Sequence, residues 1–164
     1  MILPVSSVVT EKTTCEFDLL KFSLEQYHDC AWVLSCDSIA YEKYKDVENV
    51  TCLNIIETDN CDHNVGSPEQ KDNWMKVMMT KFDAVGRLIE THGHGLFLDS
   101  DMIFVNPIQD NVLELFNNKN IDVLICQHMT NDWQNEAKHG LYNGGMFHTR
   151  SKEFLSQWTN LSKD

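Results

Sequence analysis

Three features are missing from this sequence of 164 residues: an excess of positive charge, a C-x-x-C cysteine pair and a long apolar run. The formal net charge is −12, which argues against broad binding to nucleic acid, because basic patches supply much of that affinity. Without a C-x-x-C pair among the six cysteines, no zinc-ribbon or thioredoxin-type site is indicated. No apolar run approaches the about 18 residues of a membrane-spanning helix, so no membrane segment is predicted.

The six cysteines are predicted to be mostly buried free thiols, because their density is modest for a chain of this length. Disulfides are the alternative. The first ten residues, MILPVSSVVT, lack the basic start and long apolar core of a signal peptide. Together these features favour a cytoplasmic location, with the lumen of the ER or Golgi as the alternative if an N-terminal anchor is missing.

Hydrophobic patterns alternate between buried strands and amphipathic helices along the chain. Apolar residues have helical spacing over 17–28 and 73–92, and Gly93 is suited to cap the end of the second helix. Shorter helices are predicted over 111–117 and from Ser151, an N-cap residue type. The alternation predicts a single α/β domain with a mostly parallel central sheet flanked by helices. The predicted strands lie at 3–10, 30–37, 49–56, 95–105, 121–128 and 140–150, the last with a bend at its two glycines.

Polar side chains stand at the predicted carboxyl ends of several strands. In a parallel sheet these ends share one edge, and ligands bind beyond that edge. We therefore expect one ligand cleft there. The residues concerned are Thr10, Asp37, Asp99, Asp101 and His128.

The stretch GLFLDSDMIFV, residues 95–105, interrupts an apolar run with two carboxylates. If the strand is still extended there, Asp99 and Asp101 point to the same face, where burial without a cation would be costly. Mg²⁺ and Mn²⁺ prefer oxygen ligands and often share them with substrate phosphates, so a divalent metal is expected at this pair. The alternative is that the aspartates cap backbone N–H groups at a strand-to-turn junction.

The same stretch resembles the D-x-D motif of nucleotide-sugar glycosyltransferases with the GT-A fold, including its apolar flanks and Pro107 shortly afterwards. The resemblance implies a Rossmann-like nucleotide-binding domain that moves a sugar from a nucleoside-diphosphate-sugar donor to a hydroxyl acceptor. Four further stretches also resemble the family. VVT at 8–10 and WVLSCD at 32–37 resemble its two nucleotide-binding strands. KFDAVGRLIE at 81–90 resembles the helix before the acidic strand, and LYNGGMFHTRSKEFLSQW at 141–158 resembles the donor-sugar segment.

The resemblance also implies roles for individual residues. Asp99 and Asp101 would hold Mn²⁺ or Mg²⁺ on the donor diphosphate, where the metal offsets the charge of the leaving group. Lys81 would reach the diphosphate or the sugar, with an exposed helix lysine as the alternative, and Ser100 would lie near the ribose. The other donor-binding residues would be Thr10 and Asp37 at the nucleoside and Asn143, Gly144 and Gly145 at the sugar, although the two glycines would also suit a bulge or tight turn.

Several other aromatic and imidazole side chains are predicted to be structural. Trp158 is expected to pack in the core. His92 and His94 are expected to interact with the dipole at a helix C-terminus rather than to bind zinc. Trp133, in a polar loop, is the better candidate for a platform that stacks on the acceptor.

Two other functions stay open. A haloacid-dehalogenase-type phosphatase also has a D-x-D after a buried strand, but its motif usually lies near the N-terminus, and Ile103 stands where Thr or Val is usual. The other is a non-catalytic nucleotide-sugar-binding protein, because family members carry a third metal ligand and acceptor residues after the Asn-Gly segment. The chain, 1–164, is accordingly expected to be one domain without that C-terminal segment, and no catalytic base is assigned.

Overall fold

A computed structural model of the chain describes residues 2–57, 67–127 and 142–161, without the side chains of Tyr142 and Asn143. Within these ranges, six strands form one sheet: β1 (Leu3–Val9), β2 (Cys30–Cys36), β3 (Val50–Asn54), β4 (Gly95–Leu98), β5 (Val123–Gln127) and β6 (Tyr142–Thr149). The helices are α1 (Thr14–Glu25), α2 (Ser38–Tyr44), α3 (Pro68–His92), α4 (Asp110–Asn117) and α5 (Lys152–Leu161), and a 3₁₀ turn spans Glu11–Thr13.

The strand order is β3-β2-β1-β4-β6-β5, with β1 near the middle of the sheet. The pairs β1–β2, β2–β3 and β1–β4 are parallel, and β6 runs antiparallel to both β4 and β5. Parallel neighbours require crossover connections, which the helices supply. The prediction of an α/β domain with a mostly parallel sheet is therefore confirmed.

The sheet is covered on both faces, as its apolar strands predict. Every residue of β1 is buried. One face packs against α1, α2 and α4, where Phe17 meets Trp32 edge to face with ring centroids 5.2 Å apart. The other face packs against α3 and α5 through Val8, Phe97 and Phe147. Two helices therefore lie directly behind β4 and β6, the strands that border the acidic motif.

The main differences from the sequence prediction concern three elements, each for a local reason. α2 was not predicted, because it is a short helix that depends on its N-cap, Asp37, whose side chain accepts a hydrogen bond from Ala40 N. α3 begins earlier than predicted, because Ser67 and Gln70 form a capping box before the first apolar turn. The strand predicted over 95–105 is wrong after Leu98, where the chain turns. Gly93 caps α3 as predicted, with a left-handed φ of 80°.

The five cysteines in the described ranges are free thiols, as predicted. Their burial is less uniform than expected, since Cys30 and Cys36 are buried whereas Cys15 and Cys126 are exposed. Cys61 lies outside the described residues. No helix of the described part of the chain has both the length and the apolar content to cross a membrane.

Two histidines pair at the sheet edge opposite the acidic motif. His94 Nδ1 lies 2.9 Å from His148 Nε2, and the His148 ring, only 1 % exposed, stacks on Phe116. Burial lowers the pKa of His148 to about 3, helped by His94 and the Arg150 guanidinium. Burial also lowers the pKa of His94, as do Arg150 and His92. His94 therefore pairs with the buried His148 instead of forming the predicted helix-end pair with His92.

The histidine pair predicts a loss of stability in acid. Between pH 6.5 and about 3 the unfolded chain binds a proton at residue 148 that the folded chain excludes, so the free energy of unfolding should fall as the pH falls through this window. The contribution approaches about 1.4 kcal/mol per pH unit. His148→Phe, which can still stack on Phe116, should flatten this slope in urea titrations at several pH values. His92→Gln, exposed on α3, is the matched control, and an unchanged slope in His148→Phe would contradict the assignment.

Candidate functional site

The sheet topology gathers the predicted site residues at one edge. The parallel strands β1, β2 and β4 end there, at Thr10, Asp37 and Asp99. Because β6 is antiparallel to β4, its first residues reach the same edge, and Leu98 pairs with Met146. The glycines just before Met146 therefore lie beside the acidic motif, although more than forty positions separate them in the sequence.

The acidic motif forms a turn, which we call the acidic turn (Asp99–Asp101). Met102 N donates a hydrogen bond to Asp99 O at 3.2 Å, so the chain is no longer extended, and the argument that strand alternation puts both carboxylates on one face is wrong. At the start of the turn, Asp99 N donates to Gly145 O at 2.8 Å. This bond fixes the acidic turn to the first part of β6. Ser100 is half-buried between Asp99, also half-buried, and the exposed Asp101.

Two charged side chains, Lys81 and Asp101, are close enough to Asp99 to change its pKa. Burial raises the pKa of the Asp99 carboxyl, Lys81 lowers it, and Asp101 raises it further. The two carboxylates are thus near enough to repel each other. A cation between them would relieve both the repulsion and the cost of burial.

Lys81 is buried in the α3 face of the sheet, with 8 % of its surface exposed. The alternative of an exposed helix lysine is therefore wrong. Its Nζ donates a hydrogen bond to Gly144 O at 3.3 Å. Burial lowers the pKa of the ammonium group, and the neighbouring Asp99 raises it.

The two glycines leave room for these contacts. A Cβ at position 144 would lie 3.3 Å from Lys81 Nζ and 3.7 Å from the Trp158 ring, closer to the nitrogen than most side chains tolerate. β6 runs through both glycines, so the alternative of a tight turn is wrong. The pairing of β6 with β5 is irregular at this place. Ile125 pairs with Phe147 and Gln127 pairs with Tyr142, so a step of two residues in β5 corresponds to a step of five residues in β6. The glycines thus combine an irregular strand pairing with close backbone approach.

Asp37 and Thr10 have structural contacts at this edge. The Asp37 side chain is buried; Oδ1 accepts from Ala40 N at 2.8 Å and Oδ2 accepts from Glu11 N at 2.7 Å. Thr10 N donates to Thr13 Oγ1 at 3.0 Å. Asp37 therefore holds the ends of β1 and β2 together, and its contact with a nucleoside stays a prediction.

Three predicted positions cannot be placed in this site. His128 and Trp133 lie outside the described residues, as does the side chain of Asn143. Trp158, which was expected only to pack, does pack in the core of the α3 face. It also approaches Lys81 and Gly144, a contact that helical periodicity alone could not reveal.

The acidic turn has the chemistry of a partial site for a hard divalent cation. Asp99 and Asp101 offer carboxylate oxygens, which Mg²⁺ and Mn²⁺ prefer. Within the described ranges no group of three or more His, Cys, Asp or Glu side chains could hold a metal ion. Two carboxylates fit a cation that takes its other ligands from water and from the phosphate oxygens of a substrate.

Solved structures with the same fold are glycosyltransferases. Mouse xyloside xylosyltransferase 1 is 11 % identical with a TM-score of 0.55, and the match covers 99 % of this chain and 77 % of that one. Glycosyltransferase GlyE of Streptococcus pneumoniae TIGR4 is 13 % identical with a TM-score of 0.63, over 100 % of this chain and 39 % of GlyE. Galactosyltransferase LgtC is 12 % identical with a TM-score of 0.58, over 99 % and 66 %. This chain therefore spans less than two thirds of GlyE and of LgtC.

A search of curated proteins returned no match. A sequence profile described as nucleotide-diphospho-sugar transferase matches residues 27–161, which include α3, the acidic turn and β6. This chain belongs to the nucleotide-diphospho-sugar transferase family and has the fold of the GT-A glycosyltransferases.

Proposed function

We propose that residues 1–164 form a single domain that binds a nucleoside-diphosphate-sugar together with Mn²⁺ or Mg²⁺ and transfers the sugar to a hydroxyl acceptor. The family gives the general reaction of sugar transfer from a nucleotide donor. The observation that supports a donor site in this chain is that the buried Lys81 and the acidic turn both bond to the glycines of β6, Lys81 Nζ to Gly144 O and Asp99 N to Gly145 O. Opposite charges at one sheet edge suit an anionic ligand that is bridged to the protein by a cation.

Asp99 and Asp101 would hold the metal ion. When bound, the metal would offset the negative charge that grows on the departing diphosphate. The carboxylates would have a second task, which is to keep the diphosphate at the sheet edge and leave the sugar facing β6. Asp99 is the better anchored of the two, because its backbone N–H is fixed by Gly145 O.

Lys81 would supply a fixed positive charge on the other side of the donor. One N–H of its ammonium group is used by Gly144 O, and an ammonium group has two more donors. These could reach a phosphate oxygen or a sugar hydroxyl. Gly144 lets the donor approach the backbone where a side chain would press on Lys81.

The nucleoside would lie toward β1 and β2. Thr10 and Asp37 stand at the ends of these strands, and Ser100 would be near the ribose. Asn143 would contact the sugar together with Gly144 and Gly145. These roles follow from the family resemblance at matching positions.

The phosphatase alternative loses its basis, because the family match accounts for the D-x-D within a sugar-transferase segment. The other alternative, a binding protein without turnover, differs from the proposal in whether nucleoside diphosphate is released. It predicts metal-dependent binding of the nucleotide and no release of nucleoside diphosphate from the donor. The two are separated by measuring UDP or GDP release from their sugar donors with a hydroxyl acceptor present.

The acidic turn should make nucleotide binding depend on metal. In calorimetric titrations of UDP and GDP, we expect heat of binding with Mn²⁺ and at least about tenfold weaker binding without it. Asp99→Asn/Asp101→Asn should remove the difference between the two conditions, because the amide side chains cannot neutralise the cation. The preferred base would identify the donor nucleotide.

Asp29→Asn/Asp46→Asn is the matched control for that titration. It removes two exposed carboxylates from the opposite edge of the sheet, so the change in net charge is the same. If both double variants weaken binding equally, general electrostatics accounts for the effect and the metal assignment to the acidic turn is wrong.

Lys81→Met should separate stability from binding. Methionine has a similar length without a charge to desolvate, so the free energy of unfolding should stay the same or rise by up to about 1 kcal/mol. Binding of the nucleotide should nevertheless weaken, because the cation is lost. Lys76→Met, on an exposed turn of the same helix, should change neither by much. A Lys81→Met protein that is strongly destabilised and still binds normally would contradict a role for Lys81 at the donor.

A further inference from the structure

Four aromatic rings surround the Lys81 ammonium group, and we call them the aromatic cage. Lys81 Nζ lies 5.2 Å from the centroid of Trp158, 5.4 Å from those of Phe82 and Phe97, and 5.9 Å from that of Phe147. All four distances are within the range of a cation–π interaction. A single lysine in contact with four rings is an unusual environment for a charge.

The cage compensates for water that the ammonium group has lost. Lys81 has one hydrogen bond to Gly144 O, and among the described residues no carboxylate forms a salt bridge with it. The faces of the rings carry partial negative charge, so they stabilise a cation without competing for its hydrogen-bond donors. The remaining N–H groups of the ammonium thus stay available for a ligand.

Trp158 differs from the three phenylalanines of the cage. Phe82, Phe97 and Phe147 are buried at 6 %, 0 % and 1 % exposure, whereas Trp158 is half-buried and is contributed by α5. Its ring packs against Phe82 and Phe147, with centroid distances of 5.3 Å to each. Two of its ring atoms are 3.7 and 3.9 Å from the place where a Cβ at Gly144 would stand.

Trp158 therefore closes the space around both the ammonium nitrogen and the Gly144 backbone. The other three rings lie in the core of the sheet and α3, where they are fixed by general packing. The side chain at position 158 is thus the half-buried member of the cage, and it lies beside both the Lys81 ammonium and Gly144.

We propose that Trp158 is a positioning residue for the donor site, which holds the Lys81 ammonium against Gly144 O and toward the acidic turn. The proposal deepens the proposed function, on which its binding part rests. Trp158 acts through Lys81 and through the ring contact at Gly144, and α5 thereby becomes part of the donor site.

Lysine NMR tests the position of Lys81 without any ligand. In protein labelled with ¹³C at lysine Cε, ring currents should shift the Lys81 signal well upfield of the other lysines, and Lys81→Met assigns it by removing it. Because Trp158→Leu also removes the ring current of the indole itself, the position of Lys81 is measured by NOEs from its Hε protons to the rings of Phe82 and Phe97. Trp158→Leu should weaken these NOEs, and Trp158→Phe should restore part of their intensity. Phe154→Leu is the matched control: Phe154 is on the same helix and packs on Trp158 and Phe147, yet is not in the cage, so the NOEs should be unchanged.

Titration of UDP and GDP with Mn²⁺ tests the consequence for the donor site. Trp158→Leu should weaken binding about two- to tenfold, Trp158→Phe less, and Phe154→Leu not measurably. If Trp158→Leu fails to fold, Trp158→Met and Trp158→Phe replace it in both measurements.

The outcomes separate this inference from the proposed function. If the wild type binds neither nucleotide, the proposed function fails, and the lysine NOEs still decide whether Trp158 positions Lys81. If these NOEs are unchanged in the position-158 variants, or if Phe154→Leu weakens them equally, the inference is overturned. Weakened NOEs with unchanged nucleotide binding would overturn the link between Trp158 and the donor site.

Discussion

The burial of one ammonium group is the constraint on which this site depends. Lys81 projects from α3 into the apolar face of the sheet, where charge is costly, and it is held there by a carbonyl, four aromatic rings and the nearby Asp99. A buried cation beside a half-buried carboxylate is an expensive arrangement for stability alone. Lys81 lies at the edge where nucleotide ligands bind in α/β sheets, so its charge is placed where it can bind an anionic donor.

The fold produces this arrangement through one change of strand direction. The parallel strands bring Thr10, Asp37 and Asp99 to a common edge, and the antiparallel β6 returns Gly144 and Gly145 to the same edge. The bond from Asp99 N to Gly145 O then joins the acidic turn to β6, while Lys81 joins β6 to α3. The proposed diphosphate, metal and sugar positions are thus linked by two backbone carbonyls, at Gly144 and Gly145.

Much of the fold could be predicted because burial on both faces gives the strands continuous apolar sequences and gives α3 its periodic face. The sequence could not reveal α2, whose start depends on the side chain of Asp37, or the end of β4, since apolar residues continue beyond the acidic turn. At the site, spacing pointed to Asp99 and Asp101, but it misjudged their geometry because a turn replaces the strand. The burial of Lys81 and its contact with Trp158 depend on packing between α3, β6 and α5, which no local pattern contains.

The central claim is that metal and nucleotide meet at the acidic turn beside the first residues of β6. Paramagnetic broadening tests it most directly, by following backbone amide signals of ¹⁵N-labelled protein as small amounts of Mn²⁺ are added with UDP or GDP. The account predicts that Asp101, Met102, Gly144 and Gly145 lose intensity first, while amides at the opposite edge, such as Asp29 and Thr149, keep theirs. Broadening that spreads evenly over the acidic surface, or that centres away from the acidic turn, would contradict it.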